Sequence, residues 1–135
     1  MRVGSGGVLL TNHPPLLIAE QFGTLEALHP GRIDLGLGRS AGTDAATSAL
    51  LRAGAAPEDD FEQKLTELTG YFAGPSFGRL GSPVKAVPAA ENRPPIWLLG
   101  SSVSSALTAA GHVQRRGVRR VTPRDPWFSL CGECF

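Results

Sequence analysis

Residues 2–38 decide the fold of this chain, and they read RVGSGGVLLTNHPPLLIAEQFGTLEALHPGRIDLGLG. The first part, Arg2 to Leu10, is a short apolar run of the kind that forms a buried strand. Leu16 to Leu28 carries apolar side chains at helical spacing, and Arg32 to Gly38 carries them at alternate positions. A strand, a helix and a second strand joined by short connections predict a parallel sheet with a right-handed crossover.

Proline and glycine mark both ends of the predicted helix. Asn12-His13-Pro14-Pro15 precedes it, and proline suits a first turn because the N–H that it lacks would have no partner there. His29-Pro30-Gly31 follows it and is typical of a helix exit. In the second predicted strand, Gly36 and Gly38 leave room for another group to approach the backbone closely.

The remaining segments continue the alternation of helices and strands. We predict a loop over residues 40–57 with a short helix near 45–53, a second helix over 58–72, irregular structure with short strands over 74–94, a third strand over 95–99 and a helix from about 102 to 110. The second helix carries one apolar stripe, formed by Phe61, Leu65, Leu68 and Phe72. The pattern therefore predicts an α/β protein.

The composition is that of one soluble globular domain. The chain has 135 residues, of which 41% are hydrophobic and 19% charged, and its net charge is +1. That charge predicts no bulk attraction to nucleic acid or to a membrane surface. The longest apolar runs are far shorter than the roughly 20 residues that span a bilayer, and no signal peptide is visible. We therefore expect a cytoplasmic protein.

The two cysteines, Cys131 and Cys134, form a Cys-Gly-Glu-Cys pair in the last five residues. Such a pair occurs in redox sites and as half of a zinc site. No βαβ context follows it here, and the sequence offers no second pair of ligands. We predict no metal in this protein.

Small residues lie at each predicted strand end. They are Ser5-Gly6-Gly7 within the first strand, Gly36 to Ser40 after the second, and Gly100 to Ser105 after the third. Ligands of parallel α/β proteins bind at the carboxyl ends of the strands. Serines that open a helix place hydroxyl donors beside free backbone N–H groups, which favours an anion such as phosphate. Arg39 is suited to a charge-assisted contact with the same anion.

Each of these features also has a purely structural interpretation. The serines are equally typical of a helix N-cap, Arg39 of a solvated loop residue, and Gly6-Gly7 of packing glycines. His13 is typical of a loop histidine that holds the turn from Asn12 to Pro15. Their common position at strand ends of one sheet favours the functional interpretation, and both interpretations stay open on the residues alone.

Three separated segments resemble one enzyme family, the luciferase-like (bacterial luciferase family) flavin-dependent monooxygenases. Residues 3–15, VGSGGVLLTNHPP, resemble its third-strand segment. Residues 19–39, AEQFGTLEALHPGRIDLGLGR, are similar to its next helix and fourth strand, and residues 94–102, PPIWLLGSS, to its fifth strand and phosphate turn. The resemblance covers about residues 2–111, with the three motifs in the family's order.

The resemblance implies a fold and a chemistry. It implies a partial TIM-type (β/α)₈ barrel covering roughly strands 3 to 5 with their helices, and a monooxygenase that uses reduced FMN and O₂ on a small organic substrate. Some relatives use a deazaflavin, F420, in place of FMN. The family further implies a flavin reductase as partner and a dimer for full-length relatives, with no role in binding nucleic acid or membranes.

Site residues follow from the matching positions. The resemblance implies that Gly6 and Gly7 lie against the flavin ring, where relatives have a cis peptide bond that does not involve proline. It implies that Arg39, Ser101, Ser102 and Ser105 hold the flavin phosphate. His13 follows the strand that carries the two glycines, and we expect it at the substrate mouth as a catalytic residue that orients substrate or shuttles a proton.

The chain also departs from the family. A (β/α)₈ barrel needs about 250 residues, so we expect a truncated enzyme, with residues 1–111 as a partial barrel domain and 112–135 as a basic, disordered tail. Residues 113–135 hold five arginines and two acidic residues where relatives continue with a sixth strand. A shifted reading frame is one hypothesis for this change. The alternatives are a non-catalytic flavin- or phosphate-binding remnant and an inactive pseudogene product.

Overall fold

A computed structural model describes residues 1–39, 44–52, 61–74, 76–77, 83–100, 107–108, 110–111 and 118–120. Its elements, in chain order, are β1 (Val3–Gly4), β2 (Val8–Leu9), a 3₁₀ turn (Leu10–Asn12), α1 (Pro15–Leu28), β3 (Ile33–Gly38), α2 (Ala45–Arg52), α3 (Phe61–Ala73), β4 (Ser76–Phe77), β5 (Pro83–Val84), β6 (Ile96–Leu99) and β7 (Val118–Arg120). The chain therefore has the mixed α/β architecture that the sequence predicts.

A parallel sheet forms the centre of the fold, and β3 is its main strand. Among the described residues, β1 and β2 both pair with β3, which pairs with β6, which in turn pairs with β7. All four pairings are parallel. The strands β4 and β5 form a separate antiparallel pair. Both predicted connections of the strand–helix–strand unit are present, and the helix between them, α1, ends at Leu28 as predicted.

The first predicted strand is interrupted, which the sequence pattern did not indicate. Val3 pairs with Ile33 and Val8 pairs with Leu37, so the three residues 5–7 stand opposite the two residues 35–36. One extra residue in one strand is a β-bulge. Ser5 compensates for the lost pairing, because its hydroxyl donates to the carbonyl oxygen of Gly36 and accepts from the Gly36 N–H, both at 2.9 Å.

The core lies between one face of the sheet and the helices α1 and α3. Alternate residues of β3 and β6 point into it, and they are Ile33, Leu35, Leu37, Ile96 and Leu98. The predicted stripe of α3 is confirmed, since Phe61, Leu65, Leu68 and Phe72 are all buried. α1 contributes a smaller set headed by Ile18 and Phe22. The residues of β3 between the core positions, Asp34, Gly36 and Gly38, lie on the opposite face of the sheet.

Glycines allow the close contacts that this packing needs. Gly31, at φ 71°, follows the helix exit in the left-handed region that glycine adopts without strain. Gly23 of α1 packs against the turn after β5, where a Cβ would lie 2.5 Å from the Cα of Ala89. The helix can approach that turn only because residue 23 has no side chain.

The tail, for which the sequence predicts an unstructured end, contains one short strand among its described residues. β7 pairs with β6 in parallel, with Ile96 opposite Val118 and Leu98 opposite Arg120. This three-residue segment is too short to show a strand periodicity, and it is a strand because it pairs with β6. The rest of residues 112–135, with Trp127 and both cysteines, lies outside the described residues.

Candidate functional site

The carboxyl ends of three strands meet at one edge of the sheet. Leu9 of β2 pairs with Gly38 of β3, which also pairs with Leu99 of β6. This row is followed by the 3₁₀ turn after β2, by Arg39 after β3 and by Gly100 after β6. The arrangement predicted from the strand ends is therefore present, because parallel strands bring their carboxyl ends to the same edge.

Arg39 is a cation at this edge. It is half-buried, and its guanidinium carbon lies 5.9 Å from the centroid of the Phe61 ring. A cation at that distance over an aromatic face is attracted by the ring quadrupole. Arg39, Phe61 and Thr108 line a small cleft together with Leu98 and Leu99 of β6. Arg39 therefore lies beside the first turn of α3, and its role toward a phosphate stays a prediction.

The first turn of α3 also contacts the segment after β6. Thr108 is buried, and its hydroxyl donates to the Glu62 carboxylate at 2.7 Å. Residues 107–108 and 110–111 are helical, within the helix that the sequence predicts from about residue 102. Ser101, Ser102 and Ser105, the predicted phosphate turn, lie outside the described residues, so their grouping with Arg39 stays a prediction.

Gly6 and Gly7 lie in the bulge between β1 and β2. A Cβ on Gly7 would overlap the end of the Leu99 side chain and lie 3.1 Å from the carbonyl oxygen of Gly36. The protein's own packing therefore already accounts for glycine at residue 7, and a role toward a flavin ring stays a prediction. The cis bond implied here is absent, since the cis peptide among the described residues is Val87–Pro88.

His13 ends the 3₁₀ turn after β2, at the same edge of the sheet. Its backbone N–H donates to the carbonyl oxygen of Leu10 at 3.3 Å, and its side chain is half-buried. Lys64 of α3 holds the same turn, because its buried ammonium group donates to the Thr11 carbonyl oxygen at 2.7 Å. The turn is thus fixed by its own backbone and by α3, and both interpretations of the imidazole stay open.

A buried carboxylate lies at the other end of β3. Asp34 receives two hydrogen bonds from the Arg2 guanidinium, at 2.6 and 3.0 Å, and one from the Trp97 indole N–H at 2.9 Å. The hydrogen bond to Asp34 and its charge raise the pKa of Arg2. This cluster belongs to the amino ends of the strands, away from the edge that carries Arg39, and its charge is compensated. We assign it a structural role, because it links the residue before β1 to β3 and β6.

The described part of the chain has neither a cluster of metal ligands nor a membrane-spanning helix. No group of three or more histidine, cysteine or acidic side chains there is placed to hold a metal ion. No helix in the same ranges is long and apolar enough to cross a bilayer.

Comparison with known proteins decides the family. A family profile described as luciferase-like monooxygenase matches residues 1–115. The chain belongs to the luciferase-like monooxygenase family. The motifs over residues 3–15, 19–39 and 94–102 all fall inside this match, so the resemblance seen in the sequence is confirmed.

Individual relatives support the same family assignment. A luciferase-like monooxygenase of Escherichia coli strain K12 is 49% identical over 112 residues, which are 82% of this chain and 32% of the relative. An N-acetyl-S-alkylcysteine monooxygenase of Bacillus subtilis strain 168 is 40% identical over 113 residues, with 34% of the relative covered. The crystal structure of apo-MsnO8 superimposes with a TM-score of 0.71 at 42% identity, over 89% of this chain and 33% of MsnO8. The chain thus spans about a third of the length of these relatives.

The residues at the sheet edge fit a phosphorylated flavin. Gly38 leaves the carboxyl end of β3 without a side chain on the face opposite the core, and a Cβ there would meet only the end of Leu9, at 3.3 Å, and the Val8 carbonyl oxygen, at 3.9 Å, among the described residues. That surface suits a flat ring. Arg39 supplies the positive charge that a phosphate needs.

Sequence reasoning missed the two residues that organise this edge. Phe61 was assigned only to the apolar stripe of α3, and Glu62 was not singled out. A short-range signal for their role is absent, because Phe61 lies 22 positions from Arg39 and Glu62 lies 46 positions from Thr108. Asp34 had a signal, since it is the one charged residue in an otherwise apolar strand.

Proposed function

We propose that this chain carries the flavin-binding part of a luciferase-like monooxygenase that inserts one oxygen atom of O₂ into a small organic substrate. The observation that supports it is the position of Arg39, held at the carboxyl end of β3 within a chain whose family profile is that of a monooxygenase. In this proposal the parallel sheet is part of a (β/α)₈ barrel, the architecture in which active sites lie at the carboxyl ends of the strands.

The chain's own residues have distinct roles in this proposal. Arg39 binds the phosphate of FMN by charge-assisted hydrogen bonds, and Ser101, Ser102 and Ser105 donate to the same group from the turn after β6. Gly6 and Gly7 line the ring. His13 orients the substrate or holds a proton at its imidazole nitrogens. When bound, the reduced flavin supplies the oxygen chemistry. A deazaflavin is the alternative cofactor, and a separate reductase is the expected source of reduced flavin.

The relative named N-acetyl-S-alkylcysteine monooxygenase suggests a first substrate class to test, small organosulfur compounds. The assay supplies reduced FMN and O₂ to the 135-residue chain and follows formation of the oxygenated product. Product formation above the level without protein supports a catalytic chain. Flavin binding without product would instead favour the non-catalytic remnant, because the chain spans about a third of its relatives.

Binding tests the phosphate assignment directly. The double variant Ser102→Ala, Ser105→Ala should raise the FMN dissociation constant by about tenfold or more, because each lost hydroxyl removes a hydrogen bond to a charged group. The riboflavin dissociation constant should stay nearly unchanged, because riboflavin lacks the phosphate. Flavin fluorescence titrations give both dissociation constants. Equal weakening of the two flavins would contradict the phosphate role.

A further inference from the structure

The first turn of α3 contacts two separate elements of the candidate site. Phe61 faces the Arg39 guanidinium at the end of β3, and the neighbouring Glu62 accepts a hydrogen bond from Thr108 in the helical segment after β6. The cleft lined by Arg39, Phe61 and Thr108 shows that all three lie together at this edge of the sheet. One helical turn thus joins Arg39 and Thr108, which are 69 positions apart in the chain.

We infer that Phe61 and Glu62 are positioning residues that hold Arg39 and Thr108 in the walls of one cleft, and thereby make the site selective for a phosphorylated flavin. The inference rests on the proposed function. Neither side chain needs to touch the cofactor. Phe61 acts by restricting Arg39, and Glu62 acts by holding Thr108, which lines the same cleft.

The physical reason lies in the flexibility of arginine. A free arginine side chain populates many rotamers, and binding an anion with an unrestrained side chain must overcome the loss of that rotamer entropy. A ring under the guanidinium narrows the choice of rotamers before the anion arrives, since the cation is attracted to the ring face. Phe61 is itself buried in the core, so the ring does not move with the arginine.

The contact between Glu62 and Thr108 restricts a second residue that lines the cleft. Thr108 is 8% exposed, and its hydroxyl reaches Glu62 at 2.7 Å. A hydrogen bond to a charged acceptor is stronger than one between neutral groups. This bond fixes the helical segment after β6 relative to α3, and therefore relative to Phe61 and Arg39.

The test is the ratio of the riboflavin and FMN dissociation constants, measured on the full 135-residue chain by flavin fluorescence. We expect Phe61→Leu, which keeps an apolar side chain but removes the ring, to lower this ratio by about threefold to tenfold. Phe61→Tyr keeps a ring and should hold the ratio within about twofold of wild type. Because both constants come from one preparation, the ratio does not depend on the folded fraction.

Phe72→Leu is the matched control. It removes a buried ring from the same helix, about three turns along α3 from Phe61, so it should lower stability without changing the ratio. For the second contact, Thr108→Val should lower the ratio by about twofold to fivefold, and Glu62→Gln should keep it, since the amide oxygen still accepts.

The outcomes separate the inference from the function on which it rests. A wild-type chain that binds FMN and riboflavin equally would reject the flavin-phosphate function, and this inference with it. A wild-type chain that prefers FMN, combined with a Phe61→Leu ratio equal to that of wild type or of Phe72→Leu, would overturn the positioning role alone.

Discussion

Tyr71 is the single tyrosine of the chain, and it lies in the core on the last turns of α3. Its hydroxyl donates to the Glu67 carboxylate at 2.8 Å. Burial, and then the hydrogen bond to that carboxylate and its negative charge, raise the pKa of Tyr71 to about 12. At the scale of one residue, burial therefore favours the neutral phenol over the phenolate.

A raised pKa makes stability depend on pH. The unfolded chain releases the phenol proton near pH 10, while the folded chain keeps it to about pH 12. The free energy of unfolding should therefore fall as pH rises from about 10 to 12, by at most about 1.4 kcal/mol per pH unit, and this component should be fully present below pH 10. Tyr71→Phe should remove the component.

Tyrosinate absorbance measures this titration without interference, because no second tyrosine contributes. The midpoint should be near pH 12 in buffer and near pH 10 in concentrated urea. A midpoint near pH 10 in both solutions would contradict a buried, hydrogen-bonded phenol.

At the scale of an element, the bulge between β1 and β2 determines which glycines the sheet requires. A Cβ on Gly36 would overlap the carbonyl oxygen of Ser5, whose hydroxyl already bonds both backbone groups of Gly36. A Cβ on Gly38, two positions further along the same strand, would meet only the flexible end of Leu9, at 3.3 Å, and more distantly the Val8 carbonyl oxygen. The two positions share a strand and a face but differ in free space.

Gly36→Ala should therefore lower the free energy of unfolding by about 2 kcal/mol or more, because backbone must move to admit the methyl group. Gly38→Ala should change it by less than about 1 kcal/mol, since a side-chain end can move. Urea denaturation gives the free energy of unfolding of each variant. Both changes are glycine to alanine in the same strand, so the effect of intrinsic propensity cancels in the comparison. Equal losses would show that the bulge does not constrain residue 36.

At the scale of the whole molecule, β7 decides how far the fold extends along the chain. It covers the edge of β6 at Ile96, Trp97 and Leu98. An uncovered edge exposes unpaired N–H and carbonyl groups and is open to association with other chains. A chain ending at Gly111 should melt at least about 4 °C lower than one ending at Val121, and should aggregate more readily.

The chain ending at residue 121 is the control for this comparison, because both truncations remove the aromatic and cysteine-containing end. Thermal melts followed by circular dichroism, together with light scattering, give the two quantities. Identical melting and scattering of the two chains would place β7 outside the cooperative fold and would restore the expectation of a tail without contacts.

The sequence by itself determined the elements whose signal is local. The periodicity of α1, the apolar stripe of α3 and the alternation in β3 each lie within a few residues, and the three family motifs add the order of the strands. Burial follows the pattern closely in α3 and β3. In α1 the pattern predicted the helix but not its buried face, because Leu17, Leu25 and Leu28 are exposed. The carboxyl-end position of Arg39 followed from the same reasoning, because parallel strands end together.

Only the tertiary structure decided the features that join distant parts of the chain. The bulge at residues 5–7 exists because Ser5 replaces a pairing with Gly36, β7 is a strand because β6 lies beside it, and Phe61 holds Arg39 because two elements pack at one edge. In each case the energy comes from a partner 20 or more positions away. Local propensity carries no record of such a partner, so packing alone determines where these residues act.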